Sequence, residues 1–278
     1  MSTLVIARLT FREAARKRIL LAALVLGLVF LIVYGLGFNF VQNDIGGESS
    51  GPGPLEMNEI RNFLLMAGLY VVNFLTVIMT VLTSVDTLSG EIASGTVQSL
   101  ATKPLRRREI LLGKWLGFAG MLTLYMLLMA GGVMGVVYLL SGYPAPHALR
   151  GLALLWLNAL LVLSLSLLGG SALSTLANGV LVFGLFGVAF IGGWIEQIGS
   201  FLQNQTAVNI GILSSLIIPT EALWKRAAHE MQSPLVAALG FSPFSAPSVP
   251  SPMMIVYALG YTALALALAL RHFGRRDL

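Results

Sequence analysis

GLALLWLNALLVLSLSLLGGSALSTLANGVLVFGLFGVAFIGGWI, residues 151–195, runs for 45 positions without a single charge. A helix crossing the roughly 30 Å hydrocarbon core of a bilayer needs about 20 mostly apolar residues. The stretch is therefore too long for one crossing and suited to two. Ser174-Thr175-Leu176-Ala177-Asn178-Gly179 supplies the turn-forming residues, and the run divides there into spans at about 151–173 and 179–196.

The rest of the chain reads the same way. Of 278 residues, 56% are hydrophobic and 10% charged, and the mean hydropathy is +0.85. A soluble domain carries about 25% charged residues to face water, so lipid must be the solvent for much of this surface. Further apolar runs fall at 19–38, 62–85, 115–140 and 253–270, for six spans in all. The first is longer than the 7–15-residue apolar core of a secretory signal and no A-x-A-like site follows it closely, so it reads as a retained helix. Residues 197–220 are also uncharged, but Gln203, Asn204, Gln205 and Asn209 crowd the first half and only 207–218 is strongly apolar. That length predicts a re-entrant or interfacial helix at 199–218 within an outer region, 199–252, that prolines then interrupt. The fold class is all-α: one polytopic bundle occupying 1–278.

Lys and Arg set the orientation. With six spans and the N-terminus inside, Arg8, Arg12, Arg16, Lys17, Arg18, Lys103, Arg106, Arg107, Arg108, Lys114, Arg271, Arg275 and Arg276 are cytoplasmic, thirteen of 17 bases. Arg61, Arg150, Lys225 and Arg226 lie outside. Counting 199–218 as a seventh span gives twelve against five, so segment length rather than charge decides for six. Both termini are then cytoplasmic. The net charge of +5 follows the apolar runs instead of forming a hydrated basic face with stacking aromatics, which excludes nucleic acid as the partner.

Before the first span, Arg8, Arg12 and Arg16 recur at helical spacing beside a stripe of Leu4, Ala7, Phe11 and Ala14. This predicts an interfacial helix attracted to anionic membrane lipid, able to touch a cytoplasmic partner as well. Between the second and third spans, residues 86–114 are unusually long for a connection. They mix Ile92, Val97 and Leu100 with polar residues, as a short amphipathic helix docking into a groove would. Gly95 permits close backbone approach, and Pro104 breaks the helix before an Arg-rich return to the membrane.

This segment resembles the ABC-2 family of ATP-binding-cassette transporter permeases. Glu91, Gly95, Thr96, Leu100, Pro104, Leu105, Arg107, Ile110, Gly113 and Lys114 occupy in order the places of that family's pattern. The six-span layout, basic N-terminal helix and long last outer loop are similar to it too. Pro219-Thr220-Glu221-Ala222-Leu223 resembles, more weakly, a stretch late in that loop. The resemblance implies that Glu91, Gly95, Thr96, Leu100, Lys103, Pro104, Arg107, Gly113 and Lys114 belong to a coupling segment gripped by a separate ATPase subunit. It also implies pairing with a second permease copy or a paralogue, in a prokaryotic inner membrane.

Other chemistry finds little support. Gly113-Lys114-Trp115 lacks the upstream glycine and following Ser/Thr of a phosphate-binding loop, so ATP is expected on the partner and no cofactor in this chain. There is no cysteine and no H-E-x-x-H pattern; His147, His229 and His272 are far apart. Ser164, Ser166, Ser171 and Ser174 have no nearby base to activate them. Gly169, Gly170, Ser171, Gly184, Gly187, Gly192 and Gly193 instead read as small residues lining helix interfaces. Methionines scattered through the spans read as adaptable packing. Glu196, at the outer end of the fifth span, is the acid nearest the membrane on that side and the candidate for an outer gate, although solvation by headgroups would suffice to hold it there. The expected function is the membrane-spanning permease of an ATP-driven exporter. The alternative is a non-transporting membrane scaffold or assembly factor that recruits a soluble partner.

Overall fold

The structure, a computed structural model, describes residues 2–16, 18–46, 53–93, 107–233 and 248–275, with backbone alone for 2, 45–46 and 91–93. Among the described residues there are nine helices: α1 Ser2–Arg16, α2 Arg18–Gly46, α3 Pro54–Ala93, α4 Arg107–Ser141, α5 Ala148–Ala172, α6 Thr175–Phe201, α7 Gln205–Ile217, α8 Thr220–Met231 and α9 Met253–Arg275. Six of them, α2, α3, α4, α5, α6 and α9, are long and apolar enough to cross a membrane. The chain is a polytopic all-α bundle.

Helices outrun their apolar stretches. The second apolar run ends at Asp86, yet α3 continues unbroken to Ala93, 40 residues or about 60 Å in all. Likewise α4 begins at Arg107, so the arginine-rich return to the membrane is helical rather than a loop. The reason is that a helix satisfies its own backbone hydrogen bonds, and leaving the lipid gives it no cause to stop.

Burial orders the bundle from inside out. In α5, 78% of the apolar window is buried against 61% for α3 and 6% for α2. Accordingly α5 sits at the centre, touching α3, α4, α6, α8 and α9, while α2 lies on the rim against α3 and α4. The lipid-facing surface is as apolar as the core, so specificity inside comes from polar groups and small residues. Along α3, the hydroxyls of Thr76, Thr80, Thr83, Ser84 and Thr87 donate back to carbonyls one turn earlier. Between helices, Asn158 donates to Asn73 (2.9 Å) and Trp115 to Ser164 (2.9 Å), and the hydroxyls of Ser84 and Ser166 are hydrogen-bonded at 2.8 Å. The amide of Asn178, on α6, reaches carbonyls of both α3 (Val85) and α5 (Ser166). Gly169 lets it do so, because a Cβ there would collide with the Asn178 amide. Ser164, Ser166 and Ser171 are thus buried in hydrogen bonds along or between helices.

Residues 205–231 are mostly helical. After α6 the chain turns at 202–204, and α7 runs back antiparallel to α6. It then meets α8 at an angle of 106° across Ile218 and Pro219. The piece expected at 199–218 therefore contains only the first arm of this bent pair, α7, and the second arm, α8, lies beyond it. Gly184 and Gly187 line no interface among the described residues, since a Cβ on either would meet none of their atoms within 4 Å.

Candidate functional site

Two regions combine polar chemistry with tight packing, one at each end of the bundle. At the end that carries both chain termini, α1 lies along the first turns of α4. A Cβ on Gly113 would lie 2.6 Å from the Ile6 side chain and 2.9 Å from the Thr3 carbonyl; one on Gly117 would lie 2.7 Å from the Ala7 carbonyl. Two glycines a turn apart thus form the seat on which α1 rests. The docked face of α1 is Ile6, Ala7, Thr10 and Ala14, whereas Leu4 is 71% exposed. The stripe expected from spacing is therefore split: Ala7 and Phe11 face α4, Ala14 is buried, and Leu4 faces outward. Arg8, Arg12 and Arg16 are exposed on the remaining surface. Lys114, one residue past the seat, is buried.

At the opposite end, α6, α7 and α8 enclose an ionic cluster. Lys225 Nζ donates to Glu196 Oε2 at 2.5 Å, and the Ser248 hydroxyl donates to the other carboxylate oxygen. The two charged side chains are 6% and 2% exposed, so Glu196 is not solvated by headgroups but paired inside the protein. Glu221 is buried one helical turn before Lys225 and lies against Gly193, where a Cβ would stand 2.5 Å from its Cγ. Gly192 and Gly211 make the same kind of room for Ser214 and Glu196. Aromatic rings shield the cluster: Trp224 stands 5.0 Å from Tyr70, whose hydroxyl accepts from Trp194 Nε1. Lys225 and Glu196 thus form a buried ion pair, and burial beside it pushes the Glu221 carboxyl up to about 7, toward its neutral form.

The family model for the ABC-2 family transporter protein matches residues 4–278. The chain belongs to the ABC-2 transporter family. It is a multi-pass membrane protein and the permease component of an ABC transporter, a family whose members are membrane subunits without an ATPase domain of their own. No curated protein matches the chain.

In this ABC-2 permease the residues singled out from sequence separate into three groups. Arg107, Gly113 and Lys114 stand at the start of α4, and Arg8, Phe11, Arg12 and Arg16 on the adjacent α1, all at the terminal end. Glu91 lies in the last turn of α3, described by backbone alone, while Gly95, Thr96, Leu100, Lys103 and Pro104 lie outside the described residues. Glu196 stands apart, at the other end. Sequence reasoning missed Lys225 and Glu221 as its companions. A signal existed: Lys225 and Arg226 sit on the side where the charge rule disfavours bases, and Glu221–Lys225 and Arg226–Glu230 are spaced one turn apart.

Proposed function

We propose that this ABC-2 permease is the membrane half of an ATP-driven exporter, moved by a separate ATPase subunit that grips residues 86–114 from the cytoplasm. Supporting this reading most directly is the continuity of α3 to Ala93 and of α4 from Arg107. Both helices bordering the segment pass from the polar side into the bundle without a break, so a displacement at 86–114 travels with them. ATP is bound by the partner, and this chain needs no cofactor. Both termini are cytoplasmic and the membrane is a prokaryotic inner membrane. A second permease copy or a paralogue covers the outward face of α6, where Gly184 and Gly187 offer a flat contact. Glu196 belongs to the outer gate: the α7–α8 pair closes the far end while the Lys225 bond holds, and the ATPase cycle shifts the balance between closed and open packings.

The test uses the complex reconstituted in vesicles. Gly95→Leu should uncouple ATP hydrolysis from transport or release the ATPase. Unchanged assembly together with unchanged coupled transport removes the segment from the mechanism. Orientation has a separate check, because the chain contains no cysteine. A single cysteine introduced at position 4 should resist impermeant maleimide in intact cells and react in inverted vesicles, and one at position 205 should do the reverse.

A further inference from the structure

The last turns of α9 carry a basic feature that the coupling and gate readings leave unused. Two concavities flank this helix, of about 460 and 470 Å3, and they share Arg271 and Arg275. In the first, Arg108 from the start of α4 joins them above a floor of Ala267 and Leu270. In the second, His272 joins them above Leu268 and Leu168, the latter from the end of α5. No carboxylate is among the described residues lining either one.

Position gives this pairing its meaning. Arg271 immediately follows the apolar run of α9, which puts the guanidinium groups at the headgroup level, with Leu270 at the boundary and Leu268 about one turn deeper, toward the acyl region. A planar guanidinium presents paired donors that match phosphate oxygens. A purely electrostatic contact with a soluble partner would need no aliphatic floor. A lipid with a phosphate at the glycerol boundary matches both halves. We propose that these paired concavities are a binding site for an anionic phospholipid, with its phosphate held by Arg271, Arg275 and Arg108 and its chains lying along Leu270 and Leu268. Two sites sharing a pair of arginines suit one lipid straddling α9 as well as one on each flank; the ligand class is the same. The site is independent of orientation and of the ATPase.

The experiment incubates the delipidated full-length chain with an equimolar mixture of phosphatidylglycerol and phosphatidylcholine and counts retained lipid by native mass spectrometry. The unsubstituted chain should retain phosphatidylglycerol in clear excess, and millimolar glycerol 3-phosphate should not displace it. Each arginine removed should lower the retained ratio about five-fold, so that R271Q/R275Q falls further than R108Q. The exposed control R150Q, at the opposite end, should leave the ratio unchanged. Equal retention of the two lipids by the unsubstituted chain overturns the proposal, as does displacement by glycerol 3-phosphate or an equal loss in R150Q. If R271Q/R275Q keeps its lipid ratio but no longer co-purifies with the ATPase, the patch is a protein-docking face and the lipid site is refuted.

Discussion

At the terminal end of the bundle, α1 rests on α4 through Gly113 and Gly117 and turns Arg8, Arg12 and Arg16 outward. At the far end, α7 and α8 fold back so that Glu196, Glu221 and Lys225 are all enclosed. One end keeps the arginines of α1 in the open, with only Lys114 buried beside them, and makes its helix contact by van der Waals packing. The other puts its charges inside and closes aromatic rings over them. An exposed arginine loses little when its surroundings change, so the first surface can meet and release a partner at small cost. A buried pair tolerates no half measures, because moving one member leaves the other uncompensated. The two ends therefore suit different tasks: repeated engagement at one, and holding one arrangement until it is forced at the other.

The sharpest way to break this contrast is Lys225→Met, which leaves Glu196 buried without its ammonium. Thermal unfolding in detergent should report a loss of about 3–5 kcal/mol. Combining it with Glu196→Leu should restore most of that loss, since an apolar pair needs no counter-charge. A Lys225→Met chain as stable as the parent would mean the far end is solvated, and the contrast would disappear. Next in size is Gly117→Leu, which should cost about 1–3 kcal/mol by overpacking the seat and should lift α1. A cysteine at position 7 would then react with maleimide several-fold faster than in the parent. Ser84→Ala removes one hydroxyl bridge between α3 and α5 and should cost about 0.6 kcal/mol, the scale of a single interhelical hydrogen bond in lipid. Smallest is Arg12→Gln, expected to leave stability within about 0.5 kcal/mol while weakening binding to anionic vesicles.

The six membrane-spanning helices were legible because lipid demands length and apolarity, and both can be counted along a chain. The docking face of α1 was not, for an instructive reason. Apolar periodicity marks the buried side of a helix in water, but beside a membrane Leu4 and Leu9 can face lipid as comfortably as protein. The small residues that mark the contact are on the other helix: Gly113, Gly117 and Gly120 of α4 face Ile6, Thr10 and Phe11 of α1. α8 escaped notice because Glu221, Lys225, Arg226 and Glu230 make it look like a hydrated outer loop. Only the fold reveals that α5 and α6 enclose it. For the same reason Glu196 was found alone: its partner lies 29 residues away, and spacing of that kind carries no periodic mark. Gly184 and Gly187 had the composition of an interface but sit on the open side of α6, a distinction that composition does not contain.

The length of α3 has a mechanical consequence. Its one proline, Pro54, stands at the first helical position, where it interrupts nothing, and the remaining turns run through the bundle without a break. A stiff strut about 60 Å long, tilted by about 5° around its far end, swings the near end by about 5 Å, close to one helical turn. Small rotations among the buried hydroxyls of the middle would thus be magnified into displacements large enough for another protein to feel.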